Sequence, residues 1–167
     1  MSHGLDIPIE NLRTVLANKL FTGSNYIPYG RAYWNGRRGE TIPEVYNYAG
    51  NRDYMDVLLD DTQDGISFFL PEPEYESTTY LGYNANVGLY FAVNLRALYP
   101  TETVRPVERF HEDVLKVIQL GGFQVTEIVS GWRAFDQFGY TTAQKDDMSP
   151  FYLCKFTLEI QFIYNKC

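Results

Sequence analysis

The chain has 167 residues and a formal net charge of −7. This length suits a single domain spanning residues 1–167, with enough chain to bury a core without disulfides or metals. The negative balance argues against adhesion to nucleic acid or anionic membranes, because both would repel it. Aromatic residues make up 16% of the chain, including 14 tyrosines. Tyrosine suits both β-rich cores and surfaces that become buried on association.

Neither a membrane span nor an export signal is expected. No stretch approaches the roughly 18 consecutive apolar residues that a membrane helix needs. The N-terminus lacks the basic and apolar segments of a secretory signal. Cys154 and Cys167 are too few and too distant for a disulfide framework, so we expect a soluble protein in a reducing compartment.

The first predicted element is an amphipathic helix at residues 7–22. Leu12 and Leu16 share one face with Ile9 and Leu20, and Gly23 suits the end of the helix. Residues 24–53 then hold four glycines and two prolines between large aromatic residues. We expect either short strands here or an arm that orders against a neighbour.

A β-hairpin is predicted next. Residues 54–59 and 66–70 have strand character, and the Asp- and Gly-rich stretch between them has the composition of a turn. Pro71 and Pro73 are expected to end the second strand. Residues 74–85 are then expected to form a mobile polar loop.

The second half of the chain has the clearest periodicity. Residues 87–98 and 151–164 alternate between apolar and polar side chains, as half-buried antiparallel strands do. A helix is predicted at 106–120 and a further strand at 123–130, followed by a second aromatic segment at 131–149. The predicted fold class is α+β: a mostly antiparallel sheet with two amphipathic helices packed on one face.

Metal-site patterns fail at identifiable positions. His111 and Glu112 begin a zinc-protease pattern, but the residue one helical turn on is Leu115. Residues 60–65 resemble the start of a calcium loop, but Pro71 stands where the bidentate glutamate belongs. We therefore expect no metal site, and we interpret His111 as a solvated helix residue and residues 60–65 as a turn.

Enzymatic motifs are also missing. The sequence has no phosphate-binding loop, no dinucleotide fingerprint and no nucleophile elbow. Cys154 lies on the apolar face of a predicted strand, so its thiol is expected to be inert. Carboxylates such as Asp146 lie in turn-like stretches. We therefore expect no cofactor, no catalytic residue and no enzyme activity.

The two aromatic segments, 24–53 and 131–149, are the candidate interaction surfaces. Their mixture of arginine with aromatic rings could stack bases and contact phosphates, or anchor a protein interface. The acidic chain favours the protein interface. A further interpretation is that both segments fold back over their own core. The candidate interface residues are Tyr29, Arg31, Tyr33, Trp34, Arg37, Arg38, Tyr46, Tyr48, Trp132, Phe135, Phe138 and Tyr140.

The order of elements resembles a known family. An opening helix at residues 7–21, a strand at 87–98 running into a helix at 106–120, and a closing strand at 151–164 carry the likeness. This arrangement is similar to the tail-terminator and neck-ring proteins, the head–tail connector structural proteins of tailed bacteriophages. In that family, as here, the last strand ends close to the C-terminus.

The resemblance implies a virion protein of the neck or tail, made in the host cytoplasm. It implies a homo-oligomeric ring of six or twelve copies that joins neighbouring portal, connector or tail proteins. DNA would pass through its lumen without specific binding. The chain departs from the family in its long aromatic segments, 24–53 and 131–149, which would serve as subunit contacts or docking arms.

Two other functions remain open. One is a small ligand- or glycan-binding module that uses Trp34 and Trp132 as stacking platforms. The other is an enzyme with an unrecognised site, for which His111 and the stretch 60–64 are the least unfavourable candidates. A ring protein should self-associate, whereas a binding module should be a monomer.

Overall fold

The computed structural model describes residues 2–34, 42–48, 50, 52–57, 62–147 and 151–164. The α-helices in this part of the chain are α1 (Asp6–Lys19), α2 (Leu95–Leu98), α3 (Val107–Leu120) and α4 (Thr142–Asp147), and Trp132–Phe135 form a 3₁₀ helix. The strands are β1 (Tyr26–Arg31), β2 (Tyr33–Trp34), β3 (Pro43–Tyr46), β4 (Tyr54–Asp56), β5 (Gly65–Thr79), β6 (Gly82–Val93), β7 (Gln124–Ser130) and β8 (Tyr152–Ile163).

The strands form two sheets. The larger sheet has the order β1-β5-β6-β8-β7. Only the β1–β5 pair in it is parallel, and its other pairs are antiparallel. The smaller sheet is antiparallel, with the order β2-β3-β4. This architecture confirms the predicted α+β class with a mostly antiparallel sheet.

One face of the large sheet packs against α1 and α3. Alternate residues of β6, including Leu89 and Phe91, point to this face together with alternate residues of β8. Leu12 and Leu16 of α1 and Phe110 of α3 belong to the same cluster and are fully buried. The period of two in the strands and the helical spacing in α1 and α3 therefore converge on one core.

The opposite face carries a second, aromatic core. The rings of Phe68 on β5 and Tyr90 on β6 stack there with 5.1 Å between centroids. Phe135 and Phe138 pack edge-on or tilted over them. The hydroxyl of Tyr140 donates a hydrogen bond of 2.7 Å to the carbonyl oxygen of Val57, which ties segment 131–149 to the chain that follows β4.

The predicted hairpin is wrong. Strand β4 pairs with β3 in the small sheet, whereas β5 lies in the large sheet between β1 and β6. The turn-like composition between β4 and β5 is compatible with either arrangement, because a turn does not choose the partner of the strand before it. Asp60 and Asp61 of that stretch lie outside the described residues.

The predicted end of the strand at Pro71 is also wrong. Strand β5 continues through Pro71 and Pro73 to Thr79, and residues 74–85 form the distal part of a long β5–β6 hairpin. Strand β1 pairs with β5 only as far as Phe69, so the rest of β5 is an edge strand. Proline is tolerated at a sheet edge and at a bulge, and the pairing with β6 shifts register after Pro71.

The strand predicted at 87–98 is shorter than expected at its end. Strand β6 stops at Val93, and Leu95–Leu98 form the short helix α2. Asn94 caps this helix, since its side-chain oxygen accepts hydrogen bonds of 3.2 Å from the backbone N–H groups of Arg96 and Ala97. An asparagine at this position favours the start of a helix over continuation of a strand.

Candidate functional site

Part of the first aromatic segment converges on an open cleft of about 400 Å³. We call it the tyrosine cleft, after Tyr33, Tyr46, Tyr48 and Tyr54 on its wall, and Arg31 lies beside them. Strands β1 and β2 bring in Arg31 and Tyr33, and the small sheet contributes the rest of the tyrosine wall. The other wall is the first part of the chain, with Ser2, Asp6, Ile9 and Glu10.

The four rings form a continuous set of edge-on contacts. Tyr46 lies 4.8 Å from Tyr48 and 5.4 Å from Tyr54 between ring centroids, and Tyr33 lies 6.3 Å from Tyr54. Edge-to-face pairs of this kind add stability beyond the area that they bury. The rings of Tyr33, Tyr48 and Tyr54 nevertheless remain 42%, 62% and 50% exposed, which leaves an ordered aromatic surface facing solvent.

The charges beside the tyrosine cleft are paired within the chain. The guanidinium of Arg31 donates to Asp6 at 3.0 Å and to the Tyr75 hydroxyl at 3.3 Å, and it lies over the Tyr33 ring. On α1, Arg13 donates to Glu10 at 2.7 Å. Because the charged groups nearest to the tyrosine cleft are already paired, this surface is better suited to a neutral, polar protein surface than to a chain of phosphates.

The phenols of Tyr33 and Tyr48 stay protonated over the physiological range, because their pKa values are raised. Burial raises the pKa of Tyr33, and the carboxylate of Asp6 raises it further. Burial also raises the pKa of Tyr48, with a contribution from Glu10. Each hydroxyl can therefore act as a neutral donor or acceptor.

Gly30 leaves room for the Glu10 side chain at the base of the tyrosine cleft. A Cβ added to Gly30 would clash with an oxygen of that side chain. The Glu10 side chain would then have to shift, and its pairing with Arg13 would be disturbed.

Four other candidate interface residues lie in the core. Tyr29, Phe135, Phe138 and Tyr140 are buried in the aromatic core, so in this fold their rings are not available to a partner. Trp34 is half-buried, with its ring 5.6 Å from that of Phe138. Residues 131–147, the described part of segment 131–149, thus fold largely over the sheet of their own chain, which is one of the interpretations left open by the sequence. Arg37 and Arg38 lie outside the described residues.

Trp132 and Tyr54 are two further aromatic residues that are partly exposed. Trp132 is 38% exposed, and the Lys145 ammonium lies 5.5 Å from the centre of its ring. Tyr54 was not predicted as an interface residue, because its segment was assigned to a hairpin strand. The high aromatic density of segment 24–53 continues to position 54 in the sequence, and that signal could have identified it.

A larger cleft of about 710 Å³ opens between the α2–α3 connection and the chain around Trp132. We call it the arginine cleft, because Arg96 and Arg105 line it together with apolar residues such as Val104 and Phe151. Among the described residues, the one carboxylate on its wall is that of Glu102, which is paired with Arg109. The unpaired charge on the described part of this wall is therefore positive, on a chain whose net charge is −7.

His111 is not the solvated residue that the sequence predicted. Its Nε2 atom lies 2.8 Å from the hydroxyl of Tyr152, and that hydroxyl donates to Ser130 Oγ at 2.9 Å. The imidazole also packs edge-on against Phe156. The hydrogen bonds thus form a chain from His111 through Tyr152 to Ser130, and the tautomer of His111 sets which atom donates between His111 and Tyr152.

We expect His111 to make the protein less stable as the pH falls. Burial lowers the pKa of His111 below its usual 6.5, and Glu108 opposes this only in part. The folded state therefore binds this proton less readily than the unfolded state does. Stability is retained above pH 6.5 and is lost as the pH falls from there towards the lower pKa of the folded state. Urea unfolding of the parent and of His111→Gln at several pH values between 5 and 8 measures this effect. The free energy of unfolding should change less with pH in the variant than in the parent. The same pH dependence in both proteins would contradict this expectation.

Comparison of the sequence with models of known protein families and with curated proteins finds no match. None of the helices in the described part of the chain has the length and apolar character needed to cross a membrane. Among the same residues, no three histidine, cysteine or acidic side chains come together as a metal site would require.

Proposed function

We propose that this chain is a structural subunit that assembles into a homo-oligomeric ring in the neck or tail of a tailed bacteriophage. Such a ring would join the head or portal to the tail around the DNA channel. The observation that carries the proposal is the tyrosine cleft. It presents several half-exposed tyrosines in fixed mutual contact, next to charges that are already paired. Tyrosine, tryptophan and arginine supply most of the binding energy in protein interfaces.

The rigidity of this surface supports binding to a protein. The ring contacts among Tyr33, Tyr46, Tyr48 and Tyr54 hold each side chain before a partner arrives. Ordering a free side chain at an interface costs about 0.5–1.5 kcal/mol, so a surface that is already ordered loses less on association. The same preorganisation would help neighbouring portal, connector or tail proteins to dock.

The net charge supports the proposed location. DNA that moves through a ring must not adhere to its wall. A chain with a net charge of −7, repeated six or twelve times around a channel, would repel the phosphate backbone. The same charge argues against sequence-specific DNA binding.

Weakening the tyrosine cleft should weaken self-assembly. Interface tyrosines that act as anchors cost at least about 1 kcal/mol each when truncated, so Tyr33→Ala with Tyr48→Ala should raise the dissociation constant at least tenfold. Native mass spectrometry and negative-stain microscopy of the purified chain measure the fraction in rings.

The control is Leu120→Ala. Leu120 is 72% exposed, more than either cleft residue, and lies at the end of α3. It should leave the ring fraction within about twofold of the parent. A parent chain that stays strictly monomeric at the highest soluble concentration, alone and with virion necks, would refute the proposed function.

A glycan-binding module is the second candidate, and Trp132 is the residue that favours it. Its exposed ring lines the arginine cleft, as a stacking platform for a sugar would. Trp34 does not support this function, because it packs against Phe138 in the core. A monomer whose tryptophan fluorescence responds to glycans, with the response lost in Trp132→Ala, would favour this alternative.

A further inference from the structure

The distal part of the β5–β6 hairpin carries an acidic surface. Glu72, Glu74 and Glu76 of β5 are exposed, and Glu159 of β8 is exposed close by. Tyr75 packs towards the helix side of the sheet, which places its neighbours Glu74 and Glu76 on the opposite face. We call this surface the acidic face.

In the described part of the chain, the glutamates of the acidic face form no ion pair. Glu72 and Glu159 each accept only a long hydrogen bond of 3.4 Å from an asparagine amide. Among the described residues, no lysine, arginine or histidine lies within ion-pair distance of these four glutamates. The glutamates therefore repel one another, and a cationic partner would relieve that repulsion.

The arginine cleft offers the complementary charge. Arg96 and Arg105 are exposed, and neither is within ion-pair distance of a described carboxylate. Arg105 is held with its guanidinium 5.6 Å from the centre of the Tyr152 ring, so its side chain is already oriented. The planar fork of each arginine can bind a carboxylate through two hydrogen bonds.

One copy of the chain cannot join these two surfaces. The arginine cleft begins at Asn94, beyond the end of β6, while Glu72 lies beside Asn86. The β6 segment from Asn86 to Val93 is about 23 Å long at roughly 3.3 Å per residue. The surfaces also differ from each other, so a contact between them is head-to-tail, the type of contact that forms a ring when the rotation between subunits closes.

We propose that the acidic face of one copy docks on the arginine cleft of the next, with Glu74 and Glu76 binding Arg96 and Arg105. This proposal rests on the proposed ring function, because it names a contact between adjacent subunits. The exposed edge of β5 beside the glutamates makes this part of the hairpin accessible to a neighbour.

Charge reversal on each side tests the contact. Arg96→Glu with Arg105→Glu should raise the dissociation constant of self-assembly at least tenfold, and so should Glu74→Arg with Glu76→Arg. Combining all four changes restores opposite charges across the contact, so assembly should return to within about threefold of the parent. Sedimentation velocity at low and at physiological salt measures each variant.

Controls separate a local contact from the effect of net charge. Lys19→Glu with Lys116→Glu makes the same change in net charge as the arginine pair, at exposed positions on α1 and α3, and should leave assembly unchanged. Adding these two changes to Glu74→Arg with Glu76→Arg should not restore assembly, although the net charge again equals that of the parent.

The possible failures are distinguishable. If the parent forms rings and the arginine pair assembles as the parent does, the docking proposal is overturned and the ring function stands. If the variant with all four charge reversals is folded by circular dichroism but does not recover assembly, the pairing of these two surfaces is also overturned. If the parent never self-associates, both this contact and the ring function are refuted.

Discussion

Phe135→Ala is expected to lower the free energy of unfolding by about 3–5 kcal/mol. The ring is 2% exposed and packs against Phe68, Tyr90, Phe138 and Tyr140. Truncation leaves a cavity under segment 131–149, and the neighbouring aromatic rings are too rigid to fill it. Urea or guanidinium unfolding at 25 °C measures the change directly.

This experiment also separates a core role from an interface role, since Phe135 was a candidate interface residue. Tyr48→Ala is the matched comparison, because Tyr48 comes from the same set of candidates but is 62% exposed. It should change the stability of the isolated chain by less than about 1 kcal/mol. Equal losses in the two variants would mean that segment 131–149 does not cover the sheet as described.

Phe110→Ala is expected to cost a similar amount, about 3–5 kcal/mol, on the other side of the sheet. Phe110 is fully buried and joins α3 to the sheet. Its ring lies 5.4 Å from that of Phe91 and 5.7 Å from that of Tyr152, in edge-to-face contacts. Removing it takes away several aromatic contacts at once and leaves α3 without its largest buried side chain.

The control for Phe110 lies on the same helix. Leu120 is 72% exposed, so Leu120→Ala should change stability by no more than about 0.5 kcal/mol. Phe110→Leu keeps part of the volume and should cost clearly less than Phe110→Ala. If alanine at the two positions had the same effect, α3 would not bury the face that the apolar spacing indicates.

The interface hypothesis could be formed from the sequence but not assigned to residues. Their high aromatic content makes segments 24–53 and 131–149 candidate interaction surfaces. These segments nevertheless contain both the exposed Tyr48 and the buried Phe135. Tyrosine and phenylalanine serve equally well in cores and at interfaces. The sequence therefore carried no signal for which rings would face solvent, and Tyr54 was missed for the same reason.

The sequence by itself determined the elements whose periodicity is local. Helices α1 and α3 and strands β7 and β8 were predicted close to their observed positions, because apolar side chains must fall on one side of each element to reach a core. Strand β6 was predicted five residues too far along the chain. The alternation in β8 also implied antiparallel pairing, but not the second core that covers part of the opposite face. These features depend only on residues a few positions apart along the chain.

Only the tertiary structure decided how those elements are partnered. The sequence of β4 does not say that it pairs with β3 instead of β5, because strand pairing depends on contacts between distant residues. Pro71 looks like a strand end until β5 is known to be an edge strand beyond Phe69. Phe135 is buried, and Tyr48 is exposed, because residues 131–147 fold across the sheet while the tyrosine cleft is left open.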